Sequence, residues 1–114
     1  MTQIRKTESI YNIDRATGAA AIAKTIAPGR PWELESIRVH LSAAGGAGDL
    51  TAIIDSGVGA AYDHNLLTQD MTAVTDLTWS PDTPMLFSAD DELDIAWANA
   101  GTKTYGLEIV YKTF

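Results

Sequence analysis

The residues best equipped for chemistry in this chain are few and scattered. Asp63-His64-Asn65 is the only place where a histidine stands directly beside a carboxylate, the neighbour a general base uses to hold its tautomer. Ser36, Ser56, Ser80 and Ser88 are available as nucleophiles, but none sits in a Gly-x-Ser-x-Gly elbow. His64 therefore reads as a solvent-exposed loop histidine. His40, between Val39 and Leu41, falls in the polar phase of a strand and reads as a surface or half-buried partner for Glu33 or Glu35. The chain has no cysteine, which removes disulfides, thiolate nucleophiles and cysteine zinc sites together, and two histidines are too few for a zinc site without it.

Oxygen ligands are more plentiful. Asp90, Glu92 and Asp94 alternate, as calcium ligands do. Against the EF-hand loop the pattern fails, because the sixth position is Ile95 rather than Gly and the twelfth is Gly101 rather than Glu. A looser site with Asp49, Asp55 or Asp76 stays open, beside the plainer reading of solvated carboxylates that discourage edge pairing. Gly45-Gly46-Ala47-Gly48 has the glycine content of a phosphate cradle but no Lys-Ser/Thr after it, so it reads as a flexible hairpin loop. Three tryptophans remain. Trp97 reads as core, Trp32 as half-buried, and Trp79 as an aromatic at a strand end or loop tip, suited to sugar stacking, to a protein interface, or to capping the core. The expectation is a protein without catalytic residues, cofactor or metal, and not an enzyme.

The elements that must hold these residues read as strands. Residues 3–13 suggest an extended arm or edge strand. Ala16–Ala27 has alanine-driven helical propensity but alternates at Ile22, Lys24 and Ile26, which favours a strand, with Thr17-Gly18 as a turn. Pro28-Gly29-Arg30-Pro31 is a break. From Trp32 to Leu41 the apolar set shifts phase, from Trp32 and Leu34 to Ile37, Val39 and Leu41, as a β-bulge would shift it. Asp49–Ser56 is a strand apolar on both faces, and Tyr62–Asp70 a short helical turn or irregular strand. Residues 72–79 alternate again, Ser80–Pro84 breaks the pattern, and Met85–Phe87 is a short strand. Asp90–Phe114 reads as a closing hairpin around Asn99-Ala100-Gly101. Seven or eight strands with regular turn signals predict an all-β jelly roll or sandwich.

At 114 residues, 46% hydrophobic and 20% charged, this is one domain with a core of its own: residues 1–27 give an N-terminal arm and first strands, and 28–114 a β-sandwich body. No stretch is apolar for long enough to cross a membrane, and the start lacks a signal-peptide pattern, so the expectation is a soluble chain made in the cytoplasm. The net charge of −7 is unevenly placed. Residues 1–30 carry five bases against two acids, and residues 31–114 three bases against thirteen acids. Such a body repels nucleic acid, while the basic leading segment suits docking on its own body or on a neighbour's.

The stretches Phe87–Gly101, Tyr105–Lys112 and Pro31–Leu41, with Asp49–Ile54, resemble the strand-and-turn pattern of small tailed-phage virion proteins with a jelly-roll fold. The resemblance implies a capsid cement or decoration subunit, often a homotrimer, located in the virion and assembled in the host cytoplasm. Its partners would be further copies of itself and a major capsid or other virion protein, with no nucleic acid and no membrane. The arm then supplies the contact residues Ile4, Arg5, Lys6, Tyr11 and Arg15, joined by Trp79. The alternative is a carbohydrate- or receptor-binding sandwich from a tail, fibre or spike, with Trp79 and Tyr62 as stacking platforms.

Overall fold

The computed structural model describes residues 9–114, so Ile4, Arg5 and Lys6 of the expected arm lie outside the described residues. Nine strands follow: β1 (Ile10–Gly18), β2 (Ile22–Ile26), β3 (Trp32–Leu41), β4 (Asp49–Asp55), β5 (His64–Asp70), β6 (Asp76–Trp79), β7 (Met85–Phe87), β8 (Glu92–Trp97) and β9 (Tyr105–Thr113). Among the described residues, a 3-10 turn at Ala60–Tyr62 precedes β5. The strand facing β3 is cut in two by Ser80–Pro84, which accounts for a ninth strand.

The pairing follows one rule. β1 pairs β9, β2 pairs β8, β3 pairs β6 and β7, and β4 pairs β5, all antiparallel. The chain is thus one long hairpin doubled back near residues 56–63. Rolling that hairpin brings β9 beside β3 and β8 beside β4. The result is two sheets, β1-β9-β3-β6 with β7 also on β3, and β2-β8-β4-β5. This is the strand order of a jelly roll, as the alternation predicts. The first strands of residues 1–27 are edge strands of the two sheets.

Alternation places the core. Ile37, Val39, Leu107 and Ile109 of one sheet and Leu50, Ala52, Ile54, Leu93, Ile95 and Trp97 of the other are buried in a single cluster. Each large side chain removed from water there contributes about 1.5–3 kcal/mol. The β3 bulge lies where the phase shift predicts it: register passes from Leu34↔Tyr111 to Ser36↔Val110, leaving Glu35 as the extra residue. Trp32 is fully buried rather than half-buried, tilted against Phe87 at 4.7 Å and edge-on to Tyr111 at 6.0 Å.

Several local expectations change. β8 and β9 do not form a hairpin, since they belong to opposite sheets. Their alternation is genuine, but period-two alternation is the same whether two strands pair or face each other across a core. The Ala43–Gly48 loop likewise joins β3 to β4 across the sandwich. It is also tied down, with Gly45 N–H donating to Val74 O at 2.8 Å and Gly48 O accepting from Met71 N–H at 3.0 Å. A Cβ on Gly45 would stand 2.4 Å from Met71 O, so only glycine lets the two loops touch. The turn after β1 is at Ala19-Ala20 rather than Thr17-Gly18. The strand expected over 72–79 starts only at Asp76, because Ala73 has a left-handed φ of 62°.

Asn99 holds the far end together. It is 2% exposed and has φ 50°, a region Asn tolerates better than most residues. Its side-chain amide donates to Ala20 O and Lys103 O, both at 2.9 Å, and its Oδ1 accepts from Lys103 N–H at 3.0 Å. One side chain therefore pins the β1–β2 turn to the β8–β9 arch. Asn99→Asp keeps shape and backbone preference but points a carboxylate oxygen at two carbonyls. It is expected to cost about 3 kcal/mol, a fall in Tm of roughly 10 °C by thermal melt at neutral pH.

Candidate functional site

Strand register sorts the outward side chains into two unlike faces. On the β1-β9-β3-β6 sheet, Arg15, Glu108, Arg38 and Thr78 form one cross-strand row, and Thr17, Gly106, His40 and Asp76 the next. Arg15 Nε donates to Glu108 Oε2 at 2.7 Å, and Arg38 Nη2 binds the other oxygen, Oε1, of the same carboxylate. His40 Nδ1 lies 2.5 Å from Asp76 Oδ1. A carboxylate only accepts, so Nδ1 carries the proton in this pair. The partner of His40 is thus Asp76, not Glu33 or Glu35. Gly106 leaves a gap in the row, and a shallow trough of about 590 Å³ opens above it. Its charges are already paired with one another, at about 0.2–1 kcal/mol for each exposed pair.

The same face carries an apolar strip toward the start of β1. Tyr11 is 64% exposed and Ile13 55% exposed, with Ile10 at 56% on the other side of the strand. Lys112 Nζ sits 5.0 Å from the centre of the Tyr11 ring and 3.2 Å from Glu35 Oε1. The hydrogen bond with Tyr11, then that with Glu35, pushes the Lys112 ammonium pKa above its ordinary value.

The β2-β8-β4-β5 sheet turns a different surface outward. Asp49, Asp55, Asp70, Glu92 and Asp94 lie in its outward phase, while β2 adds only Ala23 and Thr25 there. Asp55, Glu92 and Asp94 bring one oxygen each within 4.8 Å of the others, and the Thr25 hydroxyl donates to Asp94 at 2.7 Å. Of the looser oxygen site read from the sequence, Asp55, Glu92 and Asp94 come together. Asp76 is instead held by His40 on the other sheet, and Asp49 lies at the opposite end of β4 from Asp55, across from Asp70.

At the hairpin tip, β5 and β7 leave a cleft of about 400 Å³ whose lining includes Val58, Tyr62, His64, Leu86 and Asp91. Tyr62 is 68% exposed, Val58 71% and Leu86 64%. Asp63 does not orient His64, because its Oδ1 accepts from Ser56 N–H at 2.8 Å. Asp91 braces the cleft wall, accepting from Ser88 N–H at 3.0 Å and Gly57 N–H at 3.3 Å. Burial alone would raise the pKa of Asp91, but these hydrogen bonds outweigh it and hold the carboxyl below its ordinary range.

The residues singled out from the sequence therefore part company. Tyr11 and Arg15 share the outward face of β1. Trp79 stands opposite Ile37 in the inward row and packs partly buried against the core. The leading segment's described bases are engaged within the molecule: Arg15 with Glu108, Lys24 with Asp14 at 2.9 Å, and Arg30 with the Phe114 carbonyl at 2.8 Å. Sequence reasoning missed Glu108 as the partner of Arg15, and Arg38 as the second base on the same carboxylate. All three fall in polar strand phases, which is a usable signal, but only the register shows that they meet. No family model matches the chain, and no curated protein sequence matches it.

Two measurements check this electrostatic description. Asp55 stands directly opposite Glu92, so Glu92→Gln is expected to raise stability by about 0.5 kcal/mol, roughly 2 °C in Tm in the presence of a chelator. A depressed folded-state pKa at Asp91 contributes stability above the unfolded pKa near 4, lost as pH falls through the folded value. Asp91→Asn is therefore expected to lower Tm at pH 7 and to flatten its decline between pH 5 and pH 2.

Proposed function

We propose that this protein is a non-enzymatic structural component of a tailed-phage virion, a capsid cement or decoration subunit that strengthens the head through protein–protein contacts. The observation that carries the reading is the apolar strip of Tyr11 and Ile13 on the outward face of a regular strand, each more than half exposed, with Ile10 equally exposed on the strand's other side. Contiguous exposed apolar surface on a soluble domain marks a contact surface. The jelly-roll strand order supports the reading, since viral capsid domains use it, although lectins use it too. The sheet carrying the strip would face the shell, and the acidic outward face of the other sheet would face solvent and repel further layers. Such a subunit acts by many weak contacts multiplied by symmetry. Its partners are further copies and a major capsid protein.

The cleft at the hairpin tip favours a second reading, a carbohydrate- or receptor-binding module of a tail or fibre. Tyr62 offers a stacking face there, with His64 and Asp91 nearby for sugar hydroxyls. Trp79, turned to the core, has no part in it.

Coexpression with the major capsid protein of the same genome, followed by sedimentation of assembled shells, separates the two. The first reading expects the chain to pellet with shells and Tyr11→Glu to reduce that recovery at least tenfold without changing the monomer's Tm. A chain that stays in the supernatant while binding a glycan array, with binding abolished by Tyr62→Ala, overturns it in favour of the second.

A further inference from the structure

Among the described residues, the four sheet edges are protected unequally. β2 is only five residues long, a short edge. β5 is bulged, its register jumping from Ala52↔Leu67 to Ile53↔Asn65 and leaving Leu66 extra. The β6–β7 edge is split by a segment with two prolines, Pro81 and Pro84. β1 has none of these devices. It runs nine residues, about 30 Å, with an unbroken register against β9 and no proline. Its one inward charge, Asp14, is paired with Lys24. It also carries the three exposed apolar residues. A long, regular, apolar edge is a template for another strand.

We infer that β1 pairs antiparallel with β1 of a second copy about a two-fold axis at Ile13, joining two five-stranded sheets into one continuous sheet. The inference rests on the reading of this strip as a contact surface and names its first occupant.

The sequence of β1 selects both occupant and register. Outward residues must oppose outward residues, so only even shifts are allowed. Centring on Ile13 sets Ile13 against Ile13 of the second copy and Tyr11 against its Arg15. Arg15 keeps its Nε on Glu108, while its side chain is 70% exposed and leaves the rest of the guanidinium to lie over the facing ring. In the inward phase Asp14 then faces neutral Asn12, and Ile10 faces Ala16. Moving the axis to Asp14 opposes two carboxylates. Moving it to Asn12 sets Ile10 against Asp14 and leaves Arg15 facing Ser9. The strand is self-complementary in one register, the requirement for an isologous contact. Two copies of Tyr11 and Ile13 then stand side by side on one outward face, doubling the patch offered to a shell. This two-fold arrangement replaces the threefold one that the family resemblance implies.

The absence of cysteine makes the test direct. On the axis, the two Ile13 Cβ atoms lie about 4.5–5.5 Å apart, close to disulfide reach. Ile13→Cys is expected to give a covalent dimer under mild oxidation, and wild type a native mass of two copies that Ile13→Lys reduces to one while the variant still melts cooperatively. Arg15→Cys places its two thiols about four residues apart along the strands and is expected to cross-link at least tenfold more slowly. Equal rates for the two cysteine variants, no cross-link at Ile13, or a native mass of one or three copies each overturns the inference. A wild-type chain that pellets with shells while Ile13→Cys stays uncross-linked sinks the dimer and leaves the proposed function standing. A cross-linked dimer that never pellets does the reverse.

Discussion

The burial of one apolar row from each sheet is the interaction on which the rest depends. Neither sheet is stable alone, because each has a polar outward face and an inward face that water would wet. Ile37, Val39, Leu107 and Ile109 on one side need Leu50, Leu93, Ile95 and Trp97 on the other. That demand decides which phase of every strand points inward, and so places Arg15, Glu108 and Arg38 in one outward row and the acids of β4 and β8 in another. The functional surfaces are what the core leaves over. Where the two sheets part at the β1–β2 edge, the Asp14–Lys24 pair closes the gap, with the Tyr111 phenol close enough that burial and then Asp14 push its pKa up.

The parts of this fold that were legible in the sequence are those governed by local periodicity. The Trp32-Leu34 to Ile37-Val39-Leu41 phase shift located a bulge, the Ser80–Pro84 run located an interruption, and Trp97 was recognisable as core. What was not legible is set by which strands meet. Leu93-Ile95-Trp97 and Tyr105-Leu107-Ile109 look the same as a hairpin or as strands facing across a core, and Asn99 serves a tight turn and a longer arch equally well. The same blindness hid the partner of His40, which lies thirty-six residues away on β6. For the candidate surface, what the structure adds is that Tyr11 and Arg15 share the outward face of β1, an edge strand. Trp79 was open between an interface and a core cap, since a tryptophan beside a Ser-Pro break signals an end of a strand without saying which face it takes; it packs against the core.

The contrast between the two outward faces bears on how such a molecule works. One combines internally neutralised charges with exposed Tyr11 and Ile13, a surface cheap to desolvate. The other gathers five carboxylates and costs far more to cover. A molecule built this way has a built-in polarity: one outward face is cheaper to desolvate, and the other is solvating and repulsive. Of the side chains suited to chemistry, His40, Asp63 and Asp91 are each occupied in holding backbone or a neighbour in place.

The pairing of β9 between β1 and β3 also sets an order of events during synthesis. A ribosome delivers β1 and β3 long before it delivers residues 105–113, yet those residues form the strip of sheet that separates them. Until Tyr105–Thr113 emerges, β1 and β3 both hold open ladders of unpaired amides, and Ile37, Val39 and Trp32 lack much of their cover. Folding is therefore withheld until nearly all of the described chain has been translated. In a cell making many copies at once, nascent chains with open β1 edges would meet each other before they can close, so the timing of β9 governs whether those edges find their own sheet or a neighbour's.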